Sequence, residues 1–138
     1  MSSLAYDLHV LVRALDRSAE ARLAPFGISY QRYLALVIID AADGLTQRDL
    51  ASALGQTEAT ASRTSAALSE AGLLEASRTP GGGNRRSLTL TDAGEDLLAR
   101  ASERLGSDFD TVVRDTGQDP DLIAEQVRRL TAMVGGHP

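Results

Sequence analysis

The chain has 138 residues, 43% of them hydrophobic and 24% charged, with a net charge of −5; this is the profile of one ordinary folded domain, not of a disordered chain or of two domains. It contains no cysteine, which excludes disulfides, thiolate catalysis, cysteine zinc sites and thiol redox sensing. The longest unbroken apolar run, Leu34 to Ile39, is too short to cross a bilayer, and the start MSSLAYDLHV lacks the basic and apolar stretches of a secretory signal, so a cytoplasmic protein with no membrane partner is expected.

Along the chain, Leu4, Leu8, Leu11, Val12, Leu15, Ala19 and Leu23 recur at helical spacing and predict an amphipathic helix over 4–23, ended by Pro25 and Gly27. Ser29 is placed to cap a second helix, which carries Tyr33, Leu34, Val37, Ile38 and Ala41 toward a core and closes at Asp43-Gly44. In TQRDLASALG, Thr46 and Asp49 have the spacing of a capping box, Leu50, Ala53 and Leu54 supply a buried face, and Gly55 ends the helix. Thr57 opens the next helix, with Ala61, Thr64, Ser65 and Leu68 on its inner side, and Gly72 stops it.

From Leu74 the period changes. EASRTP and RRSLTLT have strand character, and PGGGN between them is a turn, so a β-hairpin is expected. Thr91 or Asp92 then starts one long helix holding Leu97, Leu98, Ala101, Leu105, Phe109, Val112 and Val113; run to Asp115, it would be roughly 37 Å long. Asp119-Pro120 is a helix start, and Leu122, Ile123, Val127, Leu130 and Val134 form the last apolar stripe.

Function is carried by the middle of the chain. All 14 basic residues are arginine, a bias that genome composition explains, with the consequence that every cation can make forked contacts to phosphate or guanine. Residues 1–45 carry a net −1, residues 46–91 a net +1 and residues 92–138 a net −5. The acidity therefore sits away from the segment where two short helices are joined by a glycine-containing turn and followed by an arginine-bearing hairpin. That order is a winged helix-turn-helix. With 57–71 in a major groove, Glu58, Ala59, Ser62, Arg63 and Ala66 face outward, and Thr57 and Thr60 lie near the helix start. Small side chains permit close approach and the arginine supplies charge.

These residues resemble the MarR family of bacterial transcriptional regulators, through L-T-Q-R-D-L-A, A-T-A-S-R, A-G-L-L and L-T-D-A-G, and the flanking helices match its layout. The resemblance implies a mainly α (α+β) winged helix-turn-helix fold in a single domain over 1–138, with a DNA-binding lobe at 29–91 and dimerisation helices at 4–23 and 92–134. It implies a homodimer that binds double-stranded DNA at a pseudo-palindromic operator, as a ligand-responsive repressor. The residues expected at the DNA are Thr46, Thr57, Glu58, Thr60, Ser62, Arg63, Asn84, Arg85 and Arg86. The family's wing carries Asp-x-Arg, an arginine for the minor groove; here Asn84 and Arg86 hold those positions, so the ion pair is lost while an acceptor oxygen remains. Similar proteins bind small, often phenolic effectors; Tyr6, His9, Arg13, Tyr30 and Tyr33 are candidates either to line such a crevice or to fill the core.

Two other classes compete. The acidic total, Glu58 and Asn84 would also suit a winged-helix protein-interaction module without DNA binding. An enzyme is not expected: no phosphate loop, metal cluster or Ser/His/Asp grouping is present, and Asp92, Glu95 and Asp96 read as a helix N-terminal charge cluster. His9 and His137 lie at opposite ends, so neither a metal site nor a cofactor is expected.

Overall fold

The computed structural model describes residues 3–42, 44–78, 86–106 and 108–135. They fold as two compact units that divide between Leu105 and Gly106.

The first unit opens with α1 (Leu4–Leu23), capped by Ser3, and a single 3-10 turn (Ala24–Phe26) ending at Gly27 with φ +66°. Ser29 caps α2 (Tyr30–Ala41), its hydroxyl accepting from the Arg32 N–H. Next come α3 (Gln47–Leu54), α4 (Glu58–Glu70), the antiparallel strands β1 (Leu74–Arg78) and β2 (Arg86–Leu90), and α5 (Asp92–Leu105). One fully buried leucine from each of five elements meets at the centre: Leu23 of α1, Leu36 of α2, Leu50 of α3, Leu68 of α4 and Leu88 of β2. Around them pack Ile28, Ala35, Ile39, Leu74, Leu97, Leu98 and Ala101. Each side chain of this size is worth roughly 1.5–3 kcal/mol when removed from water.

The L-T-D-A-G stretch joins hairpin to helix through backbone contact. Thr91 donates its N–H to the Leu73 carbonyl at 3.1 Å and its hydroxyl to the Gly72 carbonyl at 2.6 Å, while the same oxygen accepts from the Gly94 N–H at 3.0 Å. Gly94 lies so close to the Leu73 backbone that any Cβ there would overlap the Leu73 carbonyl. The glycine is required by close approach, since its backbone is ordinary helix.

Two expectations are corrected. Val37, Ala41 and Ala53, expected to face the core, are exposed, and Ala35, Leu36, Ile39 and Ala51 are buried instead. The second concerns α5. The single long helix from Asp92 to Asp115 is two helices: α5 stops at Leu105, and Gly106 takes a left-handed φ of +60°. The freed Leu105 carbonyl accepts from Arg22 Nη1 of α1 at 2.9 Å. A continuous 3.6-residue apolar pattern crosses the break, because Leu105 and Phe109 keep helical spacing, although the backbone leaves the helix at Gly106. The 14 residues of α5 therefore span about 21 Å.

The second unit holds α6 (Asp108–Asp115) and α7 (Pro120–Gly135), which pack on each other. Gly117, at φ +86°, turns the chain between them, and the Asp119 carboxylate caps α7 by accepting from the Asp121 N–H at 3.0 Å. Neither helix has a buried residue. Among the described residues, no helix is long and apolar enough to cross a membrane, and no group of three or more His, Asp or Glu side chains is placed to hold a metal ion.

Candidate nucleic-acid interface

The helix-turn-helix is set by its caps. Thr46 Oγ1 accepts from the Asp49 N–H at 3.2 Å, and the Asp49 carboxylate accepts from the Thr46 N–H at 3.1 Å, completing the capping box of α3. Gly55 ends α3 at φ +66°, a conformation most side chains avoid, and Gln56 N–H returns to the Ala51 carbonyl. Two residues later Thr57 caps α4, accepting from the Thr60 N–H at 3.1 Å. Leu45, just before α3, bridges β2, with the Leu88 N–H donating to its carbonyl at 2.7 Å. The start of the helix-turn-helix and the hairpin are thereby fastened to one another.

α4 divides by face as its sequence requires. Ala61, Ser65 and Leu68 are buried, while Glu58, Ala59, Ser62, Arg63 and Ala66 are exposed. Thr60, half-buried, joins two other predicted residues: its hydroxyl oxygen accepts from Thr57 Oγ1 at 3.0 Å and from Arg63 Nη2 at 3.2 Å. Thr57, Thr60 and Arg63 thus form one connected group. Ser62 lies beside them on the exposed face, and Glu58 stands at the helix N-terminus, where its charge is favoured by the backbone dipoles. Thr46 belongs to a different place, the start of α3, with its hydroxyl engaged in capping.

In the hairpin the strands pair in register from Leu74 opposite Leu90 to Arg78 opposite Arg86. Leu74 and Leu88 turn into the core; Arg78 and Arg86 are exposed at the far end. Asn84 and Arg85, with the PGGGN turn, lie outside the described residues, as does Asp43. Arg78 is a residue that the sequence reading passed over. The signal was available: counting outward from the turn places it directly across from Arg86. Facing residues in an antiparallel pair have Cβ atoms about 5 Å apart, and like charges there are unfavourable unless an anion lies between them. Among the described residues, Arg48, Arg63, Arg78 and Arg86 make no ion pair. These four arginines therefore face solvent without a carboxylate partner among the described residues.

The tyrosine candidates separate. Tyr6, His9 and Arg13 are exposed on α1. Tyr30 and Tyr33 stack at 6.2 Å between ring centroids and pack against the core. Burial, then the charge of Asp16, then Tyr33, push the Tyr30 phenol above its usual pKa, so it stays neutral. Tyr33 also lines an open cavity of about 410 Å³ between α2 and α5, with Val37, Asp40, Ala41, Glu95, Leu98, Ala99 and Ser102. Its hydroxyl lies 2.8 Å from Ser102 Oγ. Neither Asp40 nor Glu95 was anticipated in this role, because a helical acid at the surface gives no sign in sequence of the cavity it borders.

A helix-turn-helix whose second helix presents a small, polar outer face, followed by a paired hairpin, defines a winged helix-turn-helix protein. Residues 26–86 match the model of the MarR family. The fold match extends over nearly the whole chain. It aligns with Escherichia coli MarR in its apo form at 19% identity and a TM-score of 0.77, covering 96% of this chain and 98% of that one. It aligns with the Staphylococcus aureus MepR–DNA complex at 23% identity and a TM-score of 0.82, covering 97% and 96%. The Mycobacterium tuberculosis MarR family protein Rv2887, in complex with salicylic acid, aligns at 22% identity and a TM-score of 0.69, covering 96% and 97%. No curated protein sequence matches the chain.

Proposed function

We propose that the chain is a sequence-specific double-stranded DNA-binding transcriptional regulator, a ligand-responsive repressor that acts as a homodimer on a pseudo-palindromic operator. One observation carries this reading: four exposed arginines, without carboxylate partners among the described residues, are distributed over α3, α4 and the strand ends of the wing. In a folded surface of both signs, cations left unpaired together suit a polyanion. On this reading α4 enters a major groove, with Thr57, Glu58, Thr60, Ser62 and Arg63 toward the DNA. Thr46 sits at the backbone beside it, and the hairpin, including Asn84, Arg85 and Arg86, reaches the adjacent minor groove. The likeness to MepR, a protein solved in complex with DNA, supports it.

Dimerisation is supported by large apolar side chains that stay exposed among the described residues. On α1 these are Leu4, Leu8, Leu11 and Val12; on α7 they are Leu122, Val127, Leu130, Met133 and Val134. A two-fold dimer would cover such faces and place two copies of α4 on one side of a duplex. For an effector, the α2–α5 cavity is of ligand size. Its two carboxylates favour a neutral or cationic aromatic over an anionic phenol acid.

The test is a gel-shift titration of the promoter upstream of the chain's own gene. Arg63→Ala and Arg86→Ala each weaken binding, by about tenfold on the scale of a lost base or groove contact, with the helical circular dichroism unchanged. Affinity falls steeply between 50 and 200 mM salt, as phosphate neutralisation requires. Wild-type affinity in both variants, or retention indifferent to salt, overturns the reading in favour of a protein-interaction module, for which exposed Glu58 would be the natural contact.

A further inference from the structure

Resting on that DNA-binding reading, a finer assignment follows from the hydrogen-bond directions on α4. Thr57 Oγ1 donates to Thr60 Oγ1, and Arg63 Nη2 donates to the same oxygen. Both lone pairs of the Thr60 hydroxyl are thereby used, so the hydroxyl has only its proton to offer. The guanidinium has five N–H groups and no acceptor; one N–H is engaged with Thr60 and the others remain. The Thr60–Arg63 end of the group therefore presents donors alone.

Its surroundings decide which acceptor it meets. Arg63 is the only cation of α4, and its helical neighbours at i−4, i−1 and i+3 are Ala59, Ser62 and Ala66, all exposed and all small. None of these three neighbours is large enough to hold the helix away from a groove floor beside Arg63. An arginine meant for a phosphate needs reach toward the groove rim, whereas this one is tied back to its own helix beside small exposed residues. In the major groove only guanine shows two adjacent acceptors, N7 and O6, with no donor between them; adenine pairs its acceptor with an N–H donor.

We propose that Arg63 reads a guanine in the major groove and that Thr60 is the positioning residue that aims it, with Thr57 fixing Thr60. The tether removes side-chain freedom before binding, so less ordering is needed at the DNA. It also makes Thr60 a determinant of specificity without itself needing to touch a base.

The experiment is selection from random duplexes by the full chain and by Arg63→Ala, Arg63→Lys, Thr60→Val and Thr60→Ser. Titrations then follow on the wild-type-selected duplex and on its copy with 7-deazaguanine, which lacks the N7 acceptor. Wild type selects a guanine in each half-site that Arg63→Ala no longer selects, and 7-deazaguanine there weakens wild type by about tenfold but leaves Arg63→Ala unmoved. Arg63→Lys keeps the charge but not the fork, and loses the preference while retaining most of the affinity. Thr60→Val, which keeps the branched shape, lowers the guanine preference severalfold; Thr60→Ser restores it. Rescue by serine separates positioning from a packing role, and serves if the valine variant misfolds. Should Arg63→Ala weaken every sequence equally and leave the selected motif intact, Arg63 is a phosphate contact and the proposal falls while DNA binding stands. Equal preference in Thr60→Val and wild type removes Thr60 from it. If wild type selects nothing, the DNA-binding reading fails and this one with it.

Discussion

The central helical leucines Leu36, Leu50 and Leu68 and the exposed apolar residues of α1 and α7 have the same helical sequence pattern and opposite environments. Leu36, Leu50 and Leu68 are sealed from water, whereas Leu4 is 67% exposed and Val134 is 88% exposed. Helical periodicity reports that a face is apolar; it does not report what will cover it. In the winged helix the cover comes from neighbouring elements of the same chain, tied by short turns. In α7 only Pro120, Ile123 and Ala124 are even half-buried, and the apolar stripe beyond them is exposed. Large exposed apolar area of this kind marks an interaction surface more often than an accident.

The contrast can be broken from either side. The largest effect is expected in the sealed region: Gly94→Ala drives a methyl into the Leu73 backbone, which cannot withdraw without parting β1 from α5. A loss of about 3 kcal/mol, at the upper end for overpacking, should appear as a lowered urea midpoint. Tolerance of alanine would mean that the two backbones are not in contact. In the uncovered region, Leu8→Glu or Leu130→Glu should leave helix content and urea midpoint nearly unchanged at concentrations where the chain is monomeric. The molar mass at micromolar concentration should halve in light scattering. An unchanged mass would show that these faces do not hold copies together.

The smallest effect sharpens the comparison within α4 itself. Ser65 is buried on the inner face, 3% exposed, and its hydroxyl has no partner among the described residues. Ser65→Ala should therefore leave stability unchanged or raise it by up to about 1 kcal/mol, since a buried hydroxyl without a hydrogen bond costs more than it returns. Ser62→Ala, on the exposed face, should leave stability alone.

Much of this was legible in the residues. The Thr46–Asp49 box, Gly55, the Thr57 cap and Asp119-Pro120 are local signals, each fixed by hydrogen bonds within four residues, and the structure realises all of them. The split of α4 into inner and outer faces was legible for the same reason. What escaped depends on distant chain. The α5–α6 break was hidden because the apolar period runs through Gly106 undisturbed. The resemblance groups 92–134 with the dimerisation helices, and in the structure Leu97, Leu98 and Ala101 of α5 also pack into the core of the first unit. Arg78 could be read by counting outward from the PGGGN turn, and the strand register places it against Arg86. The Leu45–Leu88 bridge and the α2–α5 cavity join residues more than forty positions apart, and no local pattern encodes such pairs.

The central claim is that two copies of α4 occupy successive major grooves of one duplex. Hydroxyl-radical footprinting of the full chain on its selected operator tests it most directly. The account predicts two protected tracts related by a two-fold axis, with centres about 10 bp apart or a multiple of that. A single unsymmetrical tract, or protection that Arg63→Ala leaves unaltered, would contradict it.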